Sequence, residues 1–138
     1  MAKKSFRCKL VTPASALVDD QVVYASVPAW DGLMGFLPDR AAFLGKLGLG
    51  ELRLDMADTD KGLGGTRSFI LDGGFLRMAG DVMTILAERA VDVSALTASD
   101  AEAELKAAAG MKDPAEKARA TKRAELMAQM AKSGGGKV

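Results

Sequence analysis

Histidine is missing from the 138-residue chain, which removes the commonest general base and the commonest metal ligand. Only one cysteine, Cys8, is present, so no intrachain disulfide, CxxC redox pair or Cys–His nucleophile pair can form. Aromatic residues make up 5% of the chain, too few for a base-stacking platform. Neither sign of charge prevails: 19 Lys and Arg stand against 18 Asp and Glu, a formal net charge of +1. A protein that neutralises phosphates is normally far more basic, so nucleic acid is not an expected partner. Long apolar runs are also lacking, since the nearest, Phe69 to Ala87, is broken by Asp72, Arg77 and Asp81. A spanning helix needs about 18 apolar residues, so any membrane association is expected through a partner. The basic start from Met1 to Lys9 has no apolar stretch behind it and does not read as a signal peptide. No triad, metal cluster or acid–base pair survives, and neither catalysis nor a cofactor is expected.

What is present reads as one compact domain with a small appendage. Hydrophobic residues are 49% and charged residues 27%, an ordinary globular balance. The chain changes character near Leu96. Before it, the pattern has period two, with glycine punctuation. Phe6, Cys8 and Leu10 alternate with Arg7 and Lys9. Gln21 to Val27 has the composition of a strand. Asp31-Gly32 signals a turn before the short apolar run Leu33 to Leu37. Leu47, Leu49, Leu52 and Leu54 predict a strand whose alternation slips near Gly50. Phe69 to Leu71 and Phe75 to Met78 predict two strands around the turn Asp72-Gly73-Gly74. Val82 to Ala87 follows, with Val82, Thr84 and Leu86 on one face. Many short strands at close spacing point to an all-β sandwich or barrel. The expected division is a β-sandwich over 1–96 and an αα-hairpin over 97–138.

Beyond Leu96 the chain turns to alanine and charge. Ser99 with Glu102 predicts a capping box, and Gly110 a helix stop. Asp113-Pro114 restarts a helix expected to reach about Lys132 before Ser133-Gly134-Gly135-Gly136. The large apolar residues are few: Leu105, Met111, Leu126, Met127 and Met130. Alanine buries little area, so docking of this hairpin is worth a few kcal/mol at about 25 cal/mol per Å². That is the range in which two states can both be populated. The second helix carries Lys117, Arg119, Lys122, Arg123 and Lys132 against Asp113, Glu116 and Glu125. Such a helix suits reversible contact with an acidic partner, although a solvated face has the same composition.

Other features have simpler readings. Asp58-Thr59-Asp60-Lys61-Gly62 lacks the downstream Glu of a calcium loop and reads as a solvated turn. Gly62 to Thr66 precedes a strand rather than a helix, so it reads as a hairpin tip and not a phosphate cradle. Asp19 and Asp20, adjacent on a strand or turn, point apart. Cys8 is a small buried hydrophobe on an apolar strand face. Trp30 reads as a core anchor or an interface residue, and Met127 and Met130 as packing or adaptable contacts rather than ligands.

Four stretches carry a resemblance. Asp31-Gly32-Leu33-Met34-Gly35-Phe36-Leu37-Pro38-Asp39-Arg40-Ala41 resembles the "EGELGI-P-G-H-A" signature of the epsilon subunit of F-type ATP synthases. Phe69-Ile70-Leu71-Asp72-Gly73-Gly74-Phe75-Leu76 is similar to that family's "F-x-x-x-G-G-x-L" strand pair. Gly80 to Ala90 resembles its "G-x-x-V-T-V-L-A-D-x-A" run, and Phe6 to Pro13 its first strand. The matches fall in order and at nearly the right spacing across the chain.

The resemblance implies an N-terminal all-β sandwich with a C-terminal helical hairpin. It implies a non-catalytic subunit of the central rotor, joining the gamma subunit to the c-ring on the cytoplasmic side of a bacterial membrane. A mitochondrial version called delta shares the fold, and the lack of a transit peptide favours a bacterial origin. The hairpin can lie on the sandwich or extend along gamma, where it meets an acidic segment of a beta subunit and inhibits ATP hydrolysis. Residue by residue, the ring contact falls on Leu33, Asp39 and Arg40. Leu33 and Arg40 replace the family's usual Glu and His, and an acidic residue on the ring's polar loop would suit Arg40. The beta contact falls on Lys117, Arg119, Lys122 and Arg123. The family's nucleotide motif, Leu/Ile-Asp-x-x-Arg-Ala, falls on Leu96 to Ala101. There Thr97 replaces the aspartate and Asp100 the arginine, which predicts weak or absent ATP binding. The alternative reading is a stand-alone β-sandwich binding module with a helical tail.

Overall fold

The computed structural model describes residues 4–39, 41–58, 62 and 64–131. Its contacts divide the chain into two units, Met1–Ala90 and Val91–Val138. The first unit is built on seven strands: β1 (Phe6–Val11), β2 (Ala16–Ala29), β3 (Gly32–Phe36), β4 (Phe43–Lys46), β5 (Leu49–Met56), β6 (Thr66–Ala79) and β7 (Val82–Asp92). They follow one another in the order β1-β7-β6-β5-β2-β3. Because β1 also pairs with β2, the circuit of hydrogen bonds closes on itself, while β3 and β4 flare off β2 and β6. The result is a barrel-like sandwich. Closure leaves β1 with partners on both sides, antiparallel β2 and parallel β7, which protects an otherwise adhesive edge.

Alternation sets the interior. Phe6, Cys8 and Leu10 of β1 are buried, as are Leu52 and Leu54 of β5 and Met83 and Ile85 of β7. Phe36, Phe69, Leu71 and Leu76 fill the space between them. The rings of Phe36 and Phe43 meet edge to face at 5.7 Å, which ties the end of β3 to the start of β4.

Three elements differ from the sequence expectation. Residues 69–78 are not two strands but the body of one, the 14-residue β6. Gly73 and Gly74 have φ of 79° and 120°, which kinks the strand without reversing it. A Cβ on Gly74 would run into the Leu86 carbonyl oxygen and lie 2.9 Å from the Ala87 Cα, so glycine lets the chains approach. The slip in the Leu47–Leu54 alternation is a change of partner, located at Gly48 rather than Gly50. β4 ends at Lys46, Leu47 bridges Ala29, and β5 begins at Leu49. A Cβ at Gly48 would lie 2.9 Å from the Ala29 carbonyl oxygen. The strand expected over Gln21–Val27 runs from Ala16 to Ala29, pairing in turn with β1, β5 and β3.

The second unit holds a short 3-10 turn (Val93–Ala95), α1 (Ala98–Ala109) and α2 (Pro114–Met130). α1 is capped two residues earlier than Ser99 would place it. The Thr97 side chain accepts from the Asp100 N–H at 3.1 Å, and the Asp100 carboxylate accepts from the Thr97 N–H at 3.0 Å. An aspartate at the third helical position closes the box as a glutamate would. Gly110 ends α1, and Pro114 opens α2 where its missing N–H leaves nothing unsatisfied. Lys132 lies outside the described residues. The faces that α1 and α2 bury are mostly alanine: Ala101, Ala108, Ala120, Ala124 and Ala131, with Met127.

Candidate partner-binding surfaces

Of the three residues assigned to a ring contact, two can be placed. Trp30 and Asp31 form the turn between β2 and β3, and Leu33 sits just past it, opposite Pro28. Leu33 is 70% exposed, and so is Trp30, so this corner presents two large apolar groups to solvent. Trp30 is thus no core anchor; its backbone N–H, donating to the Lys46 carbonyl at 2.9 Å, fixes the turn against the end of β4.

Asp39 lies beyond β3 with φ of 65°, a left-handed conformation that aspartate tolerates better than most residues. Its carboxylate accepts from the Lys4 ammonium at 2.8 Å, and its backbone N–H donates to the Asp81 carboxylate at 3.2 Å. Asp81, φ 60°, follows Gly80, φ 56°, in the β6–β7 turn, and its carbonyl takes the Arg7 N–H at 2.9 Å. The hydrogen bond and charge of Asp39 raise the Lys4 pKa. Asp39 therefore already has an internal cation. Arg40 lies outside the described residues.

The four α2 cations do not form one group. Lys117, Arg119 and Lys122 are exposed, whereas Arg123 is buried. At 3.6 residues per turn, Arg119 and Lys122 lie about 60° apart on the outward face, and Lys117 about 160° from Arg119. The Arg123 Nε lies 3.5 Å from Glu104 Oε1, and an Arg123 terminal nitrogen 3.5 Å from Oε2. Side-chain exposures of 8% and 13% place this pair inside the hairpin rather than on its surface.

Sequence reasoning did not pick out an apolar patch on the sandwich. Phe75 and Leu86 are both more than half exposed and flank a shallow cleft of about 330 Å³, with Val11 and Pro13 on its other side. The signal was available, because Phe75 and Leu86 fall out of phase with their buried neighbours Leu76 and Ile85. A second groove, about 480 Å³, runs along the hairpin between Leu96, Leu105 and the alanines Ala101, Ala124 and Ala128. Among the described residues, no three Cys, Asp or Glu side chains gather as metal ligands would, and no helix is long and apolar enough to cross a membrane.

Comparison with known proteins decides the family. Residues 5–93 match the family described as ATP synthase, Delta/Epsilon chain, beta-sandwich domain. The ATP synthase epsilon chain of Solibacter usitatus is 39% identical over 126 residues, covering 85% of this chain and 88% of its own. This chain belongs to the ATP synthase epsilon chain family. The epsilon chain of Rhodopirellula baltica is 34% identical over 97 residues, covering 70% of this chain and 71% of that one. The fold is shared with a chain of the Euglena gracilis mitochondrial ATP synthase, solved as its OSCP/F1/c-ring, at a TM-score of 0.68 and 17% identity. That match covers 96% of this chain and 82% of the other. A chain of the Tetrahymena thermophila mitochondrial ATP synthase, solved as its central stalk and c-ring, gives a TM-score of 0.57 at 15% identity. It covers 98% of this chain and 99% of that one. The all-β sandwich with a C-terminal helical hairpin is the layout of the family.

Proposed function

We propose that this chain is a non-catalytic rotor subunit that joins gamma to the c-ring of a proton-translocating ATP synthase, on the cytoplasmic side of a bacterial membrane. The observation that carries the reading is the family match over residues 5–93 on a sandwich whose circuit of strands is closed. Torque transmission requires an element that does not shear, and a closed circuit with a large apolar core meets that requirement.

The ring-facing corner in this reading is the β2–β3 turn with the segment after β3. Leu33 supplies an apolar contact where the family usually has an acid, and Arg40 supplies the cation for an acidic ring loop. Asp39 holds the segment through Lys4 and Asp81, with its own carboxylate already engaged.

The hairpin restrains ATP hydrolysis by meeting an acidic segment of a beta subunit. Arg119 and Lys122 share the outward face of α2, whereas Lys117, about 160° round the helix from Arg119, meets a partner from the other side. Arg123 joins them only when α1 and α2 part. In the same reading the isolated subunit binds ATP weakly or not at all. Thr97 and Asp100 support this, since each is engaged in capping α1 and Asp100 would set an anion near the phosphates.

The test is ATP hydrolysis by a cognate head of alpha, beta and gamma, with the full chain compared with a form ending at Leu96. The truncated form retains the whole core cluster, which lies within residues 6–87. Both forms are expected to bind the head, and only the full chain to slow hydrolysis, with Lys122→Glu relieving the effect. Binding without inhibition by either form would leave a coupling subunit and remove the inhibitory role. Failure of both to bind would overturn the rotor reading in favour of a stand-alone binding module. Titration calorimetry of the free chain with ATP checks the nucleotide reading, and millimolar affinity or tighter would contradict it.

A further inference from the structure

We propose that Glu104 and Arg123 form the clasp that decides whether the α1–α2 hairpin is closed. The proposal rests on the reading above that the hairpin has a closed and a parted state. It adds the residues that set the balance.

Three observations carry it. The pair is the one charged contact within the hairpin whose two side chains are both largely buried among the described residues, at 8% and 13% exposure. Around it the helices bury mainly alanine, whose small area gives little cohesion of its own. Glu104 also stands one turn after Asp100, and both line one depression with Val91, Leu96 and Met127. Two carboxylates at i and i+4 repel each other along a helix. The guanidinium of Arg123, brought in by α2, offsets that repulsion only when the hairpin is closed.

A buried ion pair is a poor source of net stability compared with an apolar pair, but loss of one partner strands the other charge without compensation. The contacts are made at 3.5 Å, longer than the usual charge-assisted distance, so the clasp is loose in the closed state. Parting the helices returns both charges to water and hands Arg123 to whatever acidic group lies outside. Closure and partner contact therefore compete for one guanidinium.

Interhelix distance in the isolated full chain tests this without any ATPase. Exposed Lys106 and Lys117 are replaced by cysteine and spin-labelled for pulsed dipolar spectroscopy. Cys8 does not interfere, because burial pushes its thiol up to about 12. Its resistance to thiol reagents also reports that the sandwich stays folded. Glu104→Gln is expected to raise the parted fraction at least tenfold, and the exchange Glu104→Arg with Arg123→Glu to restore closure. The apolar pair Glu104→Leu with Arg123→Met is expected to hold the hairpin closed more tightly than the native pair. An unchanged distance distribution in Glu104→Gln, with Cys8 still protected, would overturn the clasp. Because no partner is present, that result is separate from a failure of the hairpin to inhibit hydrolysis.

Discussion

The interior of the sandwich is made of Phe36, Phe69, Leu52, Leu71, Leu76 and Ile85, each at most 1% exposed, inside a circuit of hydrogen bonds with no break. The interior of the hairpin is made of alanines, one methionine and a guanidinium facing a carboxylate. A buried Phe or Leu contributes about 1.5–3 kcal/mol, and an alanine methyl only a fraction of that. Similar chain economy thus yields two different mechanical parts. One unit resists deformation because many large side chains would have to be exposed together. The other buries few large side chains, so far less apolar area would be exposed on parting its helices.

The sharpest way to break the contrast is to damage the sandwich. Phe69→Ala is expected to lose about 3–5 kcal/mol in urea denaturation, since its ring is fully enclosed. The whole β unit should shift in one transition, and a loss below 1 kcal/mol would mean that the core is not close-packed. Gly74→Ala comes next. Its φ of 120° and the Leu86 carbonyl beside it predict a cost of about 1–3 kcal/mol, or more where β7 must move. Thermal unfolding of that variant checks the value.

These two predictions depend on features the sequence carried unequally. The alternation of Phe6, Cys8 and Leu10 was legible because one face of β1 is buried and one is not. The Gly73-Gly74 pair reads as a reversal in the sequence, because a kink and a turn use the same residues and differ only in where the following chain pairs. The strand expected over Leu47–Leu54 begins only at Leu49, and β4 before it goes unread, for a similar reason: the break at Gly48 is set by the approach of Ala29, a contact distant in sequence. In the hairpin, helix type and the break between α1 and α2 followed from alanine, Pro114 and Gly110. The cap did not, since Thr97 and Ser99 are equally good cap residues and only the helix entry distinguishes them. Arg123 looked like its neighbours Lys117, Arg119 and Lys122 because composition carries no account of which face turns toward α1.

Smaller perturbations should respect the boundary between the units. Thr97→Ala removes one half of the capping box and is expected to cost α1 about 1 kcal/mol. Far-ultraviolet circular dichroism should register the loss in the helical signal, with the sandwich transition in place. A shift of the β transition by a similar amount would mean that the two units unfold as one.

The smallest effect is expected from Arg7 and Asp19, whose bidentate pair at 2.7 and 2.8 Å lies on the surface between β1 and β2. The hydrogen bond from Arg7 holds the Asp19 carboxyl below its usual range. A carboxyl depressed on folding adds stability that is present above its unfolded pKa and lost as pH falls through the folded one. Asp19→Asn should therefore be slightly less stable than the native chain at neutral pH and indistinguishable from it in strong acid. Solvent screening keeps the difference small, and it should shrink further with added salt. A difference that persists in strong acid would mean that the pair acts through packing.

Native-state hydrogen exchange on the isolated chain tests the central contrast most directly. Amides of α2 near Ala120 and Ala124 are expected to exchange through openings far cheaper than those that expose Leu52, Leu71 and Ile85, with protection lower by at least about a hundredfold. Equal protection in the helices and the strands would show one cooperative structure, and would contradict a rigid sandwich carrying a separable hairpin.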